Sequence, residues 1–455
     1  MGIFDRAVHW ARLTASAGVH SRCRVERSSG GRGVVDNLMV ISSDGHATAR
    51  MEEYRDYLDA AFRDEFDAFV VEYRQVGSRN FDPPALRQRL DPELVTTWQE
   101  EMVDHGRLEG SSDPHARLKE LDREGIAAEV LFPDFGLPFE LYSPGLAAAK
   151  GYPPPDQAHV RAAKRAHNRW VADFCSVAPD RLAAMAVIDW TDVEDAVKEI
   201  HWAREAGLKG VVLPFFDPVL PLYHPRHDPI WSALEELKMV VNSHQALSGT
   251  SNVPAQTTGV RHPAAAIRLS AGWLLFIVHD LLPQMIWGGV LESFPRLKFI
   301  VTESGSSWVV ALLADMDYAY QGSYLRRDIR DALPIRPSEY FERQCYLGSS
   351  IFSRAEIEGR HRIGVGKMML GQDYPHHEGT VHGGTLRYLQ ATLGATSVAE
   401  DEARMMLGDT AAAVFGFDPT ALAPVTARLA LSVDDVLRPP KEDFFPRGDV
   451  NKPFV

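Results

Sequence analysis

The sequence predicts an α/β fold: a (β/α)8 TIM barrel with a helical insertion between strands 1 and 2 and a C-terminal extension. Apolar and β-branched runs recur along the chain without polar alternation, which is typical of parallel strands buried on both faces. Segments of helical periodicity separate the later runs, and repeated alternation of strand and helix predicts a closed parallel barrel. The eight predicted strands are MVISSD (39–44), AAEVLFP (127–133), RLAAMAVIDW (181–190), GVVLPFF (210–216), MVVNSH (239–244), KFIVTES (298–304), CYLGSSIF (345–352) and KMMLGQD (367–373).

The segments between and beyond these strands set the predicted domain boundaries. Residues 50–126 are too long for a structureless loop and carry helical periodicity, so we expect them to form a cap over the barrel mouth. The barrel itself is predicted at 39–418 and a C-terminal tail at 419–455. Residues 1–38 are rich in Arg and Ser, and we expect a flexible extension, with a transit peptide as the alternative. The predicted barrel helices are 192–207, 228–237 and 353–364.

Composition excludes several classes of partner. The chain has 455 residues and a net charge of −14, which argues against nucleic acid and against an anionic membrane surface. We find no uncharged apolar run of about 18 residues, so we expect no membrane-spanning helix. The three cysteines, Cys23, Cys175 and Cys345, show no CxxC spacing. They indicate a reducing compartment, and we predict a cytoplasmic protein.

Polar side chains stand at four of the predicted strand ends. Strand 1 ends in Asp44 and His46, strand 5 in His244, strand 6 in the segment that contains Glu303 and strand 8 in Asp373. The carboxyl ends of barrel strands form the active site in this architecture, so these side chains are expected to converge. The other four strand ends offer less to a cation: Pro133 and Asp134, Asp189, Phe215 and Phe216, and Ser349 and Ser350.

Two carboxylates and two imidazoles in this arrangement predict a site for one divalent metal ion. Residues two apart in a strand point to the same side, so Asp44 and His46 can reach one ion, with His244 and Asp373 completing the set. Mixed nitrogen and oxygen ligands suit Zn²⁺, our first choice, and also Mn²⁺ or Fe²⁺. The alternatives are a turn at Asp44, a buried hydrogen-bonded His244 and a helix N-cap at Asp373.

The polar residues at the strand ends, and the loop after strand 8, also predict catalytic roles. Asp373 could take or give a proton beside a metal-bound water. His376, in the loop after strand 8, is predicted to face the site. Glu303 could contact the metal, orient water, bind a substrate amine or pair with an Arg at the barrel mouth.

Four motifs follow one another along the predicted strands: SDGHA (43–47), VVNSH (240–244), GGVLESFPRLKFIVTESGSSW (288–308) and LGQDYPHHEGT (370–380). In this order they resemble the amidohydrolase 2 branch of the metal-dependent TIM-barrel amidohydrolases, which includes aminocarboxymuconate semialdehyde decarboxylase-like proteins. The resemblance covers residues 39–418 and implies the same metal ligands. It departs from the family pattern at Asp44 and at Glu303, where relatives carry histidine.

The resemblance leaves two reactions open at one site. Because Glu303 replaces the histidine of the decarboxylases, we favour a hydrolase that acts on a small amide, lactone or related carbonyl compound through a metal-activated water. The alternative is a non-oxidative decarboxylase or another C–C bond lyase. The family often forms dimers, and the aromatic residues of the tail could serve as an arm, so a homodimer is a further expectation.

Overall fold

The computed structural model describes the chain from residue 37 to residue 440, with gaps. The predicted N-terminal extension (1–38) lies outside the described residues except for Asn37 and Leu38, and the end of the predicted tail lies outside them as well. The described residues are 37–76, 83–87, 90–134, 136–141, 155–250, 260–261, 263–322, 326–377, 379, 384–429 and 431–440.

Eight parallel strands form the barrel, which confirms the predicted fold class. Each strand pairs in parallel with its neighbour along the chain, from β1 to β8. The amide of Ser43 donates to the carbonyl of Leu370 over 2.7 Å, so a hydrogen bond joins the last strand to the first. The strands are β1 Ile41–Ser42, β2 Ala128–Pro133, β3 Leu182–Val187, β4 Gly210–Val212, β5 Val240–His244, β6 Phe299–Thr302, β7 Cys345–Ser349 and β8 Met368–Leu370.

The first strand is shorter than predicted because its regular pairing ends at Ser42. After Asp44 the chain forms a second short strand, His46–Ala47. His46 pairs with Phe132 of β2, and its amide donates to the carbonyl of Tyr374 over 2.7 Å. The carbonyl of Gly45 accepts the amide of Phe132 over 2.8 Å. The backbone of this segment is therefore fixed between β2 and the residues that follow β8.

Apolar side chains fill both faces of the sheet. In β2, Ala128, Val130 and Phe132 belong to one buried cluster and Leu131 belongs to another that packs against the helices. This alternation is the two-residue period of a strand. Lys298, at the start of β6, donates to the carbonyl of Ala413 over 2.7 Å. The helix that contains Ala413 therefore lies at the end of the barrel opposite the predicted site.

Helices follow the strands as the periodicity predicts. The three predicted barrel helices are confirmed as Val193–Glu205, Asp228–Glu236 and Arg354–Ile363. The last begins with a capping box, in which Ser353 Oγ accepts the Glu356 amide over 3.2 Å and Glu356 Oε2 accepts the Ser353 amide over 2.7 Å. The other α-helices outside the insertion are Gln157–Ser176, Pro263–His279, Leu281–Trp287, Val290–Ser293, Trp308–Gln321, Ile329–Ala332, Pro337–Gln344, Thr385–Thr392, Glu400–Arg404, Thr410–Phe415, Pro419–Arg428 and Val433–Val436.

The segment between β1 and β2 is helical in its described part. Tyr54 is fully buried, and its hydroxyl lies 2.9 Å from Nδ1 of His167 in the helix after β2. Trp98 is also fully buried, and its Nε1 donates to the carbonyl of Pro375 over 3.2 Å. The insertion therefore packs against the body of the barrel and reaches the loop after β8. Its α-helices are Tyr54–Tyr57, Arg63–Val76, Pro83–Leu86, Pro92–Trp98 and Pro114–Glu124.

Replacing Trp98 with Ala is expected to lower the free energy of unfolding by about 3–5 kcal/mol, the usual loss for a large buried aromatic side chain. Urea denaturation measures the effect. Trp273 is 38% exposed, so Trp273→Ala is the matched control and should cost much less. Equal losses for the two variants would contradict the packing described here.

The described part of the predicted tail lies against the body of the protein. Leu422 and Val436 are fully buried, and the carbonyl of Leu431 accepts the amide of Leu38 over 2.8 Å. Among the helices of the described residues, none combines the length and apolar character that crossing a bilayer requires.

Candidate metal centre

The four predicted metal ligands lie together at the carboxyl ends of β1, β5 and β8. Asp44, His46, His244 and Asp373 are at most 3% exposed. Oδ1 of Asp44 lies 3.2 Å from Nε2 of His244 and 3.7 Å from Nε2 of His46. Nε2 of His46 lies 3.3 Å from Oδ1 of Asp373. Side chains separated by about 330 residues of sequence thus lie in one buried cluster, in which Asp373 contacts His46.

Hydrogen bonds at the outer nitrogens orient both imidazole rings. Nδ1 of His46 lies 2.9 Å from the carbonyl of Pro133, and Nδ1 of His244 lies 2.8 Å from the carbonyl of Gln245. A carbonyl only accepts, so each Nδ1 carries the proton in the neutral ring. Both Nε2 atoms are then unprotonated and lie near carboxylate oxygens, that of His244 near Asp44 and that of His46 near Asp373 and Asp44.

Carboxylate oxygens and unprotonated Nε2 atoms repel one another when they are buried close together. A cation placed among them would offset this repulsion. Burial and the nearby His376 oppose protonation of His46, but hydrogen bonding to Asp373 and the charges of Asp44 and Asp373 outweigh them and raise its pKa. The same carboxylates favour a metal ion at that place. The residues present therefore fit a divalent cation.

Asp373 also contacts the predicted catalytic histidine. Nδ1 of His376 lies 2.9 Å from Oδ1 of Asp373, and its ring stacks on that of His46 at 4.2 Å between centroids. Nε2 of His376 lies 3.7 Å from Oδ1 of Asp134. Burial opposes protonation of His376, but the charge of Asp373 and hydrogen bonds to Asp134 and Asp373 raise its pKa well above its usual value.

Glu303 borders the same cluster, on the far side of His244. Its Oε2 lies 3.2 Å from Nδ1 of His244, the nitrogen that points away from Asp44. Glu303 and Asp373 both adopt left-handed backbone conformations, with φ of 55° and 56°. Such conformations cost non-glycine residues about 1–3 kcal/mol and cluster at functional sites. The backbone strain thus coincides with two of the predicted site residues.

Two further residues join the site that sequence reasoning did not select. Asp134 contacts His376, as described above, and Ser350 donates its hydroxyl to Oδ2 of Asp44. Both stand at strand ends that the sequence analysis considered less useful to a cation. Their positions at strand ends were the one sequence feature that could have identified them as site residues. Neither residue type is diagnostic, because only the fold shows which partners these side chains meet.

Every predicted site residue belongs to a group of side chains that could hold a metal ion. Three overlapping groups have one ligand atom per residue within 4.8 Å of one another: Asp44 with His46 and His244, His46 with Asp134 and His376, and Glu303 with Asp373 and His376.

Comparison with known proteins identifies a matching family model and relatives that are named as decarboxylases. Residues 113–417 match the Amidohydro_2 family model, whose description is amidohydrolase. Gamma-resorcylate decarboxylase of Rhizobium sp. (strain MTP-10005) is 23% identical over 318 residues, which cover 65% of this chain and 84% of that enzyme.

Two solved structures share the fold. 2,6-Dihydroxybenzoate decarboxylase from Rhizobium has a TM-score of 0.52 at 18% identity, covering 84% of this chain and 99% of its own. 5-Carboxyvanillate decarboxylase from Novosphingobium aromaticivorans was solved with manganese and 4-hydroxy-3-methoxy-5-nitrobenzoic acid. It has a TM-score of 0.55 at 18% identity, covering 84% of this chain and 98% of its own.

These relatives overturn the predicted hydrolase activity, because they are decarboxylases and support the alternative reaction. The wrong prediction rested on Glu303, whose carboxylate faces the outer nitrogen of His244 in the structure. The predicted resemblance is confirmed, and the chain belongs to the Amidohydro_2 family of amidohydrolases.

Proposed function

We propose that this protein is a metal-dependent, non-oxidative decarboxylase of small aromatic acids that carry a hydroxyl group beside the carboxylate. The observation that carries the proposal is the buried cluster of two carboxylates and two imidazoles next to the hydrogen-bonded pair Asp373 and His376. The relatives named for gamma-resorcylate and 5-carboxyvanillate support the substrate class. A hydroxyl beside the carboxylate makes the ring carbon that carries the carboxylate electron-rich, so that carbon can accept a proton.

Asp44, His46, His244 and Asp373 would hold the metal ion. The two carboxylates and two imidazoles accept either Mn²⁺ or Zn²⁺, and the manganese in a structural relative supports Mn²⁺. When bound, the ion supplies positive charge that orients and polarises the substrate oxygens.

The reaction requires one proton at the ring carbon. The bond between that carbon and the carboxylate breaks, its electron pair stays on the ring, the proton adds there and carbon dioxide leaves. We propose that Oδ1 of Asp373 delivers the proton. Nδ1 of His376, 2.9 Å away, would return a proton to Asp373, and Asp134 would hold the other side of the His376 ring.

Carbon dioxide release tests this function directly. The purified protein, loaded with Mn²⁺, is assayed on 2,6-dihydroxybenzoate, 2-hydroxybenzoate and 5-carboxyvanillate. 4-Hydroxybenzoate, which has no hydroxyl beside the carboxylate, is the control. We expect release from at least one of the first three and none from the control. No release from any of the three, by a protein that binds Mn²⁺, would contradict the proposal.

Glu303 is proposed to orient His244 through the outer nitrogen of that ring. Replacing Glu303 with Gln removes the negative charge beside Nδ1, and we expect the affinity for Mn²⁺ to fall by about 10-fold to 100-fold, as for other partners of metal ligands. Equilibrium dialysis measures the change. Glu358 is exposed on a barrel helix, so Glu358→Gln is the control and should bind Mn²⁺ like the unchanged protein.

A further inference from the structure

A buried ion pair lies behind the candidate metal centre, between the insertion and the barrel. Arg117, in the last helix of the insertion, and Glu129, in β2, are both fully buried. Nη1 of Arg117 donates to Oε2 of Glu129 over 2.7 Å. Charged side chains are rarely buried this completely unless they are paired, and the pair alone adds little net stability over apolar side chains of the same size. Its complete burial points to a role beyond packing.

Arg117 also contacts both segments that carry candidate metal ligands, through His46 and Tyr374. Nη2 donates to the carbonyl of His46, and Nε donates to the carbonyl of Gly110 over 2.9 Å. The guanidinium also lies over the ring of Tyr374, 4.1 Å from its centroid. One side chain therefore touches the backbone of one candidate ligand and the residue that directly follows another, Asp373.

The glycine between Asp44 and His46 fits this ion pair. A Cβ atom at Gly45 would overlap Oε1 of Glu129 and approach Nη1 of Arg117 within 3.3 Å. Gly45 is thus required for space, because the carboxylate and guanidinium occupy the place of a side chain. The D-G-H sequence and the buried pair are complementary parts of one arrangement.

We propose that Arg117 is a positioning residue that holds the Asp44–His46 segment and the Asp373–Tyr374 segment in register for metal binding. The inference rests on the proposed metal site. The fork of the guanidinium reaches Glu129, Gly110 and His46 at once, which the single ammonium of a lysine does not reproduce. Loss of these donors leaves the His46 carbonyl and Glu129 without their partner and frees the ligand segment to shift.

Four variants test this role by Mn²⁺ affinity and by urea denaturation of the metal-free protein. Arg117→Met removes the donors. The double variant Arg117→Met with Glu129→Leu removes both charges and keeps the volume, so folding should recover while the donors stay absent. Gly45→Ala keeps both charges and disturbs their contact from the other side. Arg360→Met is the matched control, because Arg360 is a buried arginine whose partners are Glu402 and the Ile357 carbonyl.

We expect the first three variants to bind Mn²⁺ about 10-fold to 100-fold more weakly, and the control to keep its affinity. A double variant that folds and binds Mn²⁺ like the unchanged protein would overturn the positioning role. So would a Gly45→Ala variant of unchanged affinity. Failure of the unchanged protein to bind Mn²⁺ would instead overturn the metal site on which the inference rests.

Discussion

Replacing Asp373 with Asn is expected to lower the turnover number for decarboxylation by about 100-fold to 10,000-fold, the usual contribution of a positioned proton donor. An amide matches the carboxyl group in size but cannot deliver the proton from Oδ1, and it weakens the hydrogen bond to His376. Steady-state release of carbon dioxide at saturating Mn²⁺ measures the loss.

Metal content must be measured on the same samples, because Asp373 is also a proposed ligand. Asp401 lies exposed on the helix Glu400–Arg404, and Asp401→Asn serves as the matched control with unchanged turnover. An Asp373→Asn variant with full turnover would remove Asp373 from the proposed proton path.

Replacing His46 with Ala is expected to abolish metal binding at the concentrations that saturate the unchanged protein. The substitution removes an Nε2 that lies within 4 Å of both Asp44 and Asp373, and with it one of the four proposed ligands. We expect affinity for Mn²⁺ to fall by more than about 100-fold, beyond the loss found for partners of metal ligands. Carbon dioxide release should be lost with it.

Elemental analysis and dialysis check this result. His201→Ala provides the control, because His201 is exposed on the helix after β3. Unchanged metal content in the His46→Ala variant would show that the ion binds elsewhere.

The fold was predictable because each barrel strand carries its own signal. A run such as the one ending in His244 is apolar and β-branched until its last residues, and burial on both faces imposes that composition. The same regularity placed Asp44, His244 and Asp373 at strand ends, where the barrel brings them together. Convergence of these side chains followed from topology, without knowledge of any side-chain contact.

What could not be predicted depends on contacts between distant segments. Arg117 belongs to an ordinary amphipathic helix, and only tertiary packing shows that its guanidinium reaches the backbone of His46. The interruption of the first strand after Ser42 likewise depends on distant partners. The amide of Phe132 donates to the carbonyl of Gly45, and the amide of His46 donates to the carbonyl of Tyr374. These partners are distant in sequence, so local sequence patterns do not identify them.

The reaction was the least predictable property. A single strand-end residue, Glu303, was used to choose between hydrolysis and decarboxylation, although either reaction would use the same proposed metal ligands. The structure places its carboxylate against the outer nitrogen of His244. A residue in that position can tune a metal ligand in either reaction, so its identity could not distinguish them. The homodimer and the cytoplasmic location remain predictions.

Removal and return of the metal ion is the most direct test of the central claim that this site decarboxylates its substrate with a bound cation. The protein is stripped with a chelator, dialysed and assayed for carbon dioxide release from the best substrate of the panel, before and after titration with Mn²⁺. We predict that the stripped protein is folded but inactive, and that about one equivalent of Mn²⁺ restores release in the unchanged protein but not in His46→Ala. Full release by the stripped, metal-free protein would contradict the claim.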